Sequence, residues 1–274
     1  MRDESRRPSL PGMAFSARIQ QPVVRTKGTP SYLAEFVGTA LLVLAITGVI
    51  SAAAPHGPTL LTIGLVHALA LMAIVYVIGS ISGAHVNPAV TIALLTIRKI
   101  TPRDAGGYFG AQIAGGVCGA LLARMFFSAR GGLLDYGAAT VSPRYLHGGS
   151  VWLALLAEAI GAFALVWAIM GTAVNPDAPK GVAGWAIGGS LGLAVLIFGP
   201  ATGGSFNPAR WFGPALVSGH WTDGWVYVIG PVLGGVAAAL SYLAIMGSAR
   251  HVPAQPPEVG ESALPPTAGS TPLR

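Results

Sequence analysis

Charge is what this 274-residue chain has least of: Asp, Glu, Lys and Arg together make up 9% of it, against about 25% in soluble domains. With 53% hydrophobic residues, that scarcity excludes an ordinary water-soluble globule and points to a membrane protein. Cysteine is nearly absent. The single Cys118 rules out an intrachain disulfide framework and a cysteine-based metal site, and its Gly and Ala neighbours make it a small packing residue. Six histidines lie scattered at 56, 67, 85, 147, 220 and 251 without ligand spacing. No Ser-His-Asp or phosphate-loop pattern accompanies them, so no enzyme, metal or cofactor is expected. The net charge of +6 does not imply nucleic acid, because the basic residues form no stripe with interleaved aromatics. The first 28 residues lack the apolar core of 7–15 residues that a cleavable signal requires. Residues 1–28 and 251–274 are polar and bear Pro, Ser and Gly; they are expected to be disordered tails.

Long apolar runs are what the chain does have. Six stretches, near 31–53, 60–79, 104–127, 151–172, 182–199 and 223–246, approach the ~20 residues needed to cross about 30 Å of hydrocarbon as a helix. Two shorter apolar pieces, 88–97 and 208–217, cannot cross. Each begins with Pro directly after Asn, the arrangement of a helix start with Asn as cap and Pro in the first turn. They are expected to be half-helices that begin inside the membrane.

The chain also repeats itself. Asn87-Pro88-Ala89 recurs as Asn207-Pro208-Ala209, 120 residues later. Glu35 and the apolar run after it are echoed from Glu158 at a shift of 123, and Asp104-x3-Tyr108-x6-Gly115-Gly116 is echoed by Asp223-x3-Tyr227-x6-Gly234-Gly235 at a shift of 119. Landmarks in one order at nearly one offset mean a duplicated unit, covering about 31–128 and about 150–247 within one domain at 29–250. Three spans per unit is an odd number, so the second copy must be inverted relative to the first. The expected architecture is an all-α membrane protein of six transmembrane helices plus two half-helices in two inverted repeats. Twelve of the sixteen Lys and Arg fall on the side of the two tails, which by the positive-inside rule makes both termini cytoplasmic. A cell inner (plasma) membrane is the expected location.

In this arrangement the half-helices meet N-terminus to N-terminus near the midplane. Broken helices are tolerated in lipid only where they are buried or line a wet cavity. Each N-terminus carries about half a positive charge, so the junction repels cations, protons included. Asn87 and Asn207 keep amide donors that a passing water accepts through its oxygen, turning its protons away from its neighbours. A conduit for neutral solutes follows. Glu35 and Glu158 are intramembrane carboxylates, functional by default, but their symmetry favours a structural role, holding N–H groups of the broken loops. His85 reads as a further brace. Gly83 and Gly203 let the backbone turn, and the Gly115-Gly116 and Gly234-Gly235 pairs mark close helix contacts.

Ser82-Gly-Ala-His-Val-Asn-Pro-Ala-Val-Thr91 and Gly203-Gly-Ser-Phe-Asn-Pro-Ala-Arg-Trp-Phe-Gly-Pro-Ala215 resemble the paired signature loops of the aquaporin (major intrinsic protein) family over about residues 31–247. The resemblance implies homotetramers in the lipid bilayer, each protomer with its own pore. It further implies an outer constriction that falls here on His67, Val195, Gly204 and Arg210. Arg210 is singled out by its residue type as well, since a guanidinium at depth must face water and carbonyls. The set is most similar to the plant tonoplast-type His, Ile, Gly, Arg pattern, which implies passage of water and ammonia. Trp211 follows the Arg where glycerol facilitators carry Asp, and Ala215 replaces a basic residue, so a small-polyol facilitator is the less favoured alternative. Trp211 also departs from the small residue of water channels; it either packs outward or narrows the vestibule. His147, in the long outer loop, is a candidate to reach Arg210. A secondary transporter shares inverted repeats and broken helices and would differ by saturable, ion-coupled flux. A junctional membrane protein would be indifferent to loss of Arg210.

Overall fold

The computed structural model describes residues 27–249, with side chains to 246. The tails expected to be disordered lie outside the described residues, apart from Lys27 and Gly28. The described residues form eight α-helices, in order α1 (Thr29–Ala52), α2 (Leu60–Ile78), α3 (Pro88–Thr96), α4 (Pro102–Gly132), α5 (Val151–Ile169), α6 (Ala183–Thr202), α7 (Pro208–Ser218) and α8 (Val226–Ala249). No strand occurs among them. Six are long and apolar enough to cross a membrane, with mean hydropathy over their best windows between 1.3 and 2.4. Each of the six leaves large apolar side chains exposed, among them Leu41, Val77, Met125, Leu156, Leu193 and Leu233. In water that surface would aggregate; in lipid it is solvated.

The two half-helices are α3 and α7, of nine and eleven residues. At 1.5 Å per residue they are roughly 14 and 17 Å long, so end to end they reach about the 30 Å of a bilayer core. Each helix begins as its sequence dictates. Asn87, extended at φ −158°, accepts the Ala89 amide on its side-chain oxygen at 2.8 Å, ahead of Pro88. Asn207, at φ −153°, accepts the Ala209 amide at 2.9 Å and the Arg210 amide at 3.3 Å. Thr59, Thr101 and Ser150 cap α2, α4 and α5 in the same way.

Small residues set how the helices fit. A Cβ on Gly116 of α4 would collide with the backbone carbonyl of Ala209 in α7. Its repeat equivalent, Gly235 of α8, would place a Cβ 3.3 Å from the carbonyl of Ala89 in α3. Each half-helix is therefore gripped by a long helix of the opposite repeat. Gly115 and Gly234 press instead on their own repeats, against the carbonyls of Phe36 and Ala159. Two irregularities have no counterpart in the sequence reading. α4 bends at Ser128, whose φ of 35° and ψ of −122° are non-helical, and α5 runs on through a π-helical turn at Met170–Val174.

Candidate functional site: a path between two broken helices

Before α3 the chain runs through Ser82–Val86, and before α7 through Thr202–Phe206. Three equivalent residues in each loop have positive φ: Gly83, Ala84 and Val86 at 96°, 50° and 40°, and Gly203, Gly204 and Phe206 at 79°, 60° and 51°. For a β-branched residue such as Val86 this is a rare and strained conformation, and the surroundings must hold it. Glu35 does so. Fully buried in α1, it accepts the His85 amide at 2.9 Å and the Val86 amide at 2.6 Å. Glu158, fully buried in α5, accepts the Ser205 amide at 3.0 Å and the Phe206 amide at 2.6 Å. The repeats differ in the third donor. Gln112 Nε2 donates to Glu35 at 2.8 Å, whereas the Thr202 hydroxyl donates to Glu158 at 2.7 Å.

The loops are also tied to each other. Asn87 Nδ2 donates to the Phe206 carbonyl at 2.9 Å, and Asn207 Nδ2 donates to the Val86 carbonyl at 2.8 Å. Left-handed Val86 and Phe206 thus turn their carbonyls towards the opposite asparagine. The amide donors are therefore not wholly free for the path: each Nδ2 carries two N–H groups, one of them committed across the junction. Tyr108 and Tyr227, buried in α4 and just inside α8, donate their hydroxyls to the carbonyls of Ser82 and Thr202. In the sequence these tyrosines marked the repeat without revealing a task. Lys27 adds a second donor to the Ser82 carbonyl at 3.2 Å.

Three cavities run in series past this junction. A central one with room for about 20 Å³ is lined by both asparagines, His67, His85, Arg210 and an apolar wall that includes Leu42, Ile46, Leu71 and Leu191. On one side it shares Ala84, His85, Val90, Ile169 and Ile187 with a vestibule of about 440 Å³ lined by Lys27 and Lys99. On the other it shares Arg210 with a vestibule of about 410 Å³ lined by His56, Gly137, Tyr145 and Gly203.

Arg210 is 2% exposed, and its guanidinium donates to the carbonyls of Gly137 at 3.0 Å and Gly203 at 3.3 Å. His67 anchors Nδ1 on the Ile63 carbonyl at 2.8 Å. Its Nε2 and the Nε of Arg210 are buried without a protein hydrogen bond among the described residues. Both residues line the central cavity. Val195 and Gly204 adjoin each other, a Cβ on Gly204 falling 3.3 Å from Val195 Cγ2, but neither lines the central cavity. His85 bonds Thr91 through Nδ1 at 3.0 Å and stands edge-on to Tyr108; it braces the loop and still faces the path. Pro88, Ala89, Pro208 and Ala209 are buried in the first turns of the half-helices.

Two candidate residues lie elsewhere. His147 is exposed and absent from the vestibule beside Arg210, where Tyr145 of the same loop stands instead. Gly148 and Gly149 turn the chain there at φ 74° and 88°, which the sequence register could not anticipate. Trp211 neither faces lipid nor narrows the vestibule. It is 8% exposed, stacked on Tyr227 with ring centres 6.1 Å apart and edge-on to Trp221.

The sequence profile of the family described as Major intrinsic protein matches residues 23–242. The chain belongs to the major intrinsic protein family. Among relatives of this family, the chain is 41% identical over 212 residues to "Aquaporin NIP1-1" of Zea mays, covering 77% of this chain and 72% of that one. It is 38% identical over 243 residues to "Aquaporin AqpM" of Methanothermobacter marburgensis, covering 78% and 96%. "Probable aquaporin TIP3-2" of Arabidopsis thaliana is 42% identical over 229 residues, covering 77% and 81%. The aquaglyceroporin from Plasmodium falciparum is similar in fold, with a TM-score of 0.68 at 22% identity over 81% of this chain and 98% of that one. The inverted pair of broken helices is therefore the core of an aquaporin-family membrane channel.

Proposed function

We propose that this aquaporin-family channel conducts water passively, and ammonia with it, while excluding protons and ions. The observation that carries the reading is the size of the narrow stretch. Holding one water takes roughly 10–15 Å³ of cavity, and the central cavity offers about 20 Å³. That is room for about one water at a time and less than a three-carbon polyol fills, which disfavours the glycerol-type alternative.

The chemistry of the lining supports exclusion of charge. Two half-helix N-termini abut there, Arg210 adds a fixed cation, and the rest of the wall is mostly apolar. A hydrated cation would lose its water without gaining oxygen ligands. A water passing Asn87 and Asn207 accepts from them. It also finds the unpaired Arg210 Nε–H as a donor and the His67 Nε2 as a partner of either sense, according to tautomer. Ammonia has a similar size and crosses an apolar wall at lower desolvation cost than water, which is the ground for including it. The constriction would be formed by His67 and Arg210 directly, with Val195 and Gly204 behind them setting how closely α6 approaches. We place both termini in the cytoplasm and the protein in the cell's inner membrane as a homotetramer, as the basic bias and the family imply.

Stopped-flow light scattering of proteoliposomes under water, ammonia and glycerol gradients tests this. Fast, non-saturating water flux with glycerol flux at the level of empty vesicles is expected. Glycerol flux well above empty vesicles overturns the size argument, and ammonia flux equal to empty vesicles removes ammonia. Saturable, ion-coupled flux would make the protein a carrier.

A further inference from the structure

The vestibule on the side of Lys27 has features that conduction of a neutral solute does not require. Its volume of about 440 Å³ lies within the ~300–1,000 Å³ of small-molecule sites. Lys27 and Lys99 both line it, together with the exposed Ser80. Among the described residues neither ammonium has a carboxylate at ion-pair distance; the pair of oppositely charged groups found there, His220–Asp135, lies in loops on the other side of the molecule. Asp104, the carboxylate next to this region in sequence, accepts from the hydroxyls of Tyr32 at 2.8 Å and Thr101 at 2.7 Å and from the backbone N–H of Lys27, and makes no ion pair with the Lys27 ammonium. Lys27 commits one of its three N–H groups to the Ser82 carbonyl and has two left. Lys99 is half-buried just after α3, and burial depresses its pKa below the ordinary lysine value. An ammonium partly removed from water and left unpaired is stabilised by any anion that reaches it.

We propose that Lys27 and Lys99 form an anion site in this vestibule that takes a phosphoryl group, and that its occupation obstructs the path. Two ammonium charges around one concavity match a doubly charged phosphoryl oxyanion better than a carboxylate, which neutralises only one. Lysine serves such groups as a point charge, and Ser80 offers a neutral donor beside them. The group can arrive on a soluble phosphate compound or as the headgroup of a phosphatidic lipid; the chemistry is shared. Because this vestibule runs into the central cavity at Ala84, His85, Val90 and Ile187, an occupant lies across the route. The obstruction rests on the channel reading above. The binding does not.

Two measurements on the full chain separate these claims. In the first, thermal melting of the detergent-purified protein is followed with pyrophosphate, with sodium chloride at matched ionic strength, and with short-chain phosphatidic acid. Wild type is compared with K99M and with the K27M/K99M double variant. Pyrophosphate should raise the melting midpoint where chloride does not, with apparent affinity at least about tenfold weaker in K99M and weaker again in the double variant. A shift given by phosphatidic acid but not pyrophosphate assigns the site to a lipid headgroup. No shift with either anion, or the same shift in the variants, overturns the site. In the second, water flux is measured in phosphatidylcholine vesicles with pyrophosphate on both faces, or with phosphatidic acid in the bilayer. Each protein is compared with its own anion-free rate. Slowing in wild type but not in the double variant is expected. Unchanged flux where melting reports binding overturns the obstruction, while absence of flux in every anion-free sample overturns the channel reading and leaves the binding result standing.

Discussion

Two carboxylates and one guanidinium, all buried, decide most of what happens along the path. Glu35 and Glu158 hold residues that would otherwise relax out of the left-handed region, Val86 and Phe206 above all. Replacing Glu158 with Ala strands the Ser205 and Phe206 amides in a dry interior, at about 1–3 kcal/mol for each unsatisfied group. A large fall in melting temperature is expected for E158A, read by fluorescence-detected size exclusion after heating, with E158Q in between because its amide oxygen still accepts. E35A should lose somewhat less, since Gln112 already stands among the partners of that carboxylate and can turn its own oxygen to the freed amides. Arg210 acts differently. Removing it in R210V takes away the fixed cation at the vestibule lined by Gly137 and Gly203 and frees the carbonyls of those two residues. Proton or monovalent cation leak into pH-dye-loaded vesicles should then rise at least tenfold, a barrier change of about 1.4 kcal/mol, while water flux continues. Leak unchanged in R210V would mean that the half-helix dipoles alone exclude charge.

Helix packing argues the same way at a coarser grain, because helix approach here is set by glycines with nothing to spare. Gly116 meets the Ala209 carbonyl across the two repeats, while Gly106, ten residues earlier on the same helix, has open space around it. G116L should therefore push α7 away from α4 and cost at least about 1–3 kcal/mol by overpacking, with reduced water flux because α7 carries Arg210. G106A should be neutral or stabilising by up to about 1 kcal/mol through helix propensity. Melting of the two variants in parallel checks the contrast, and equal losses would show that glycine at 116 is not needed for close approach. The long helices themselves were legible from apolar length, and the half-helices from Asn-Pro. The bend of α4 at Ser128 and the π-helical turn after α5 were not. At the bend the Tyr136 hydroxyl, eight residues on, donates to the Ser128 carbonyl at 2.7 Å, a contact that residue type did not announce.

For the molecule as a whole, one vestibule is lined by two lysines, while Arg210 is the cation shared by the central cavity and the other vestibule. If the Lys27–Lys99 vestibule binds phosphoryl groups, its pH dependence follows from Lys99. Burial holds that ammonium's pKa below the ordinary lysine value, so its proton is lost earlier as pH rises. Binding of pyrophosphate, compared at each pH with the K99M variant so that the anion's own last ionisation cancels, should then weaken on the alkaline side before ordinary lysines titrate. Melting shifts measured from neutral to alkaline pH test it, a flat profile counting against Lys99. High salt should weaken the same binding, since the screening length falls from about 10 Å at 0.1 M to 3 Å at 1 M.

Class, span number, inversion and the location of the breaks were determined by the chain alone, because each depends on local chemistry: apolar length, Asn-Pro caps and a repeat that can be counted. The proposed constriction was only half legible. His67 and Arg210 announce themselves as polar groups in apolar surroundings, whereas Val195 and Gly204 are ordinary residues that register alone picks out, and they line no part of the central cavity. What only the tertiary structure decided is how side chains from different elements meet. Asn87 reaching the Phe206 carbonyl, Arg210 reaching Gly137, Trp211 turning in to stack on Tyr227, and His147 turning away all depend on how distant segments meet. Such meetings are set by packing and by the need to satisfy buried donors and acceptors, and neither is encoded at any one position of the sequence.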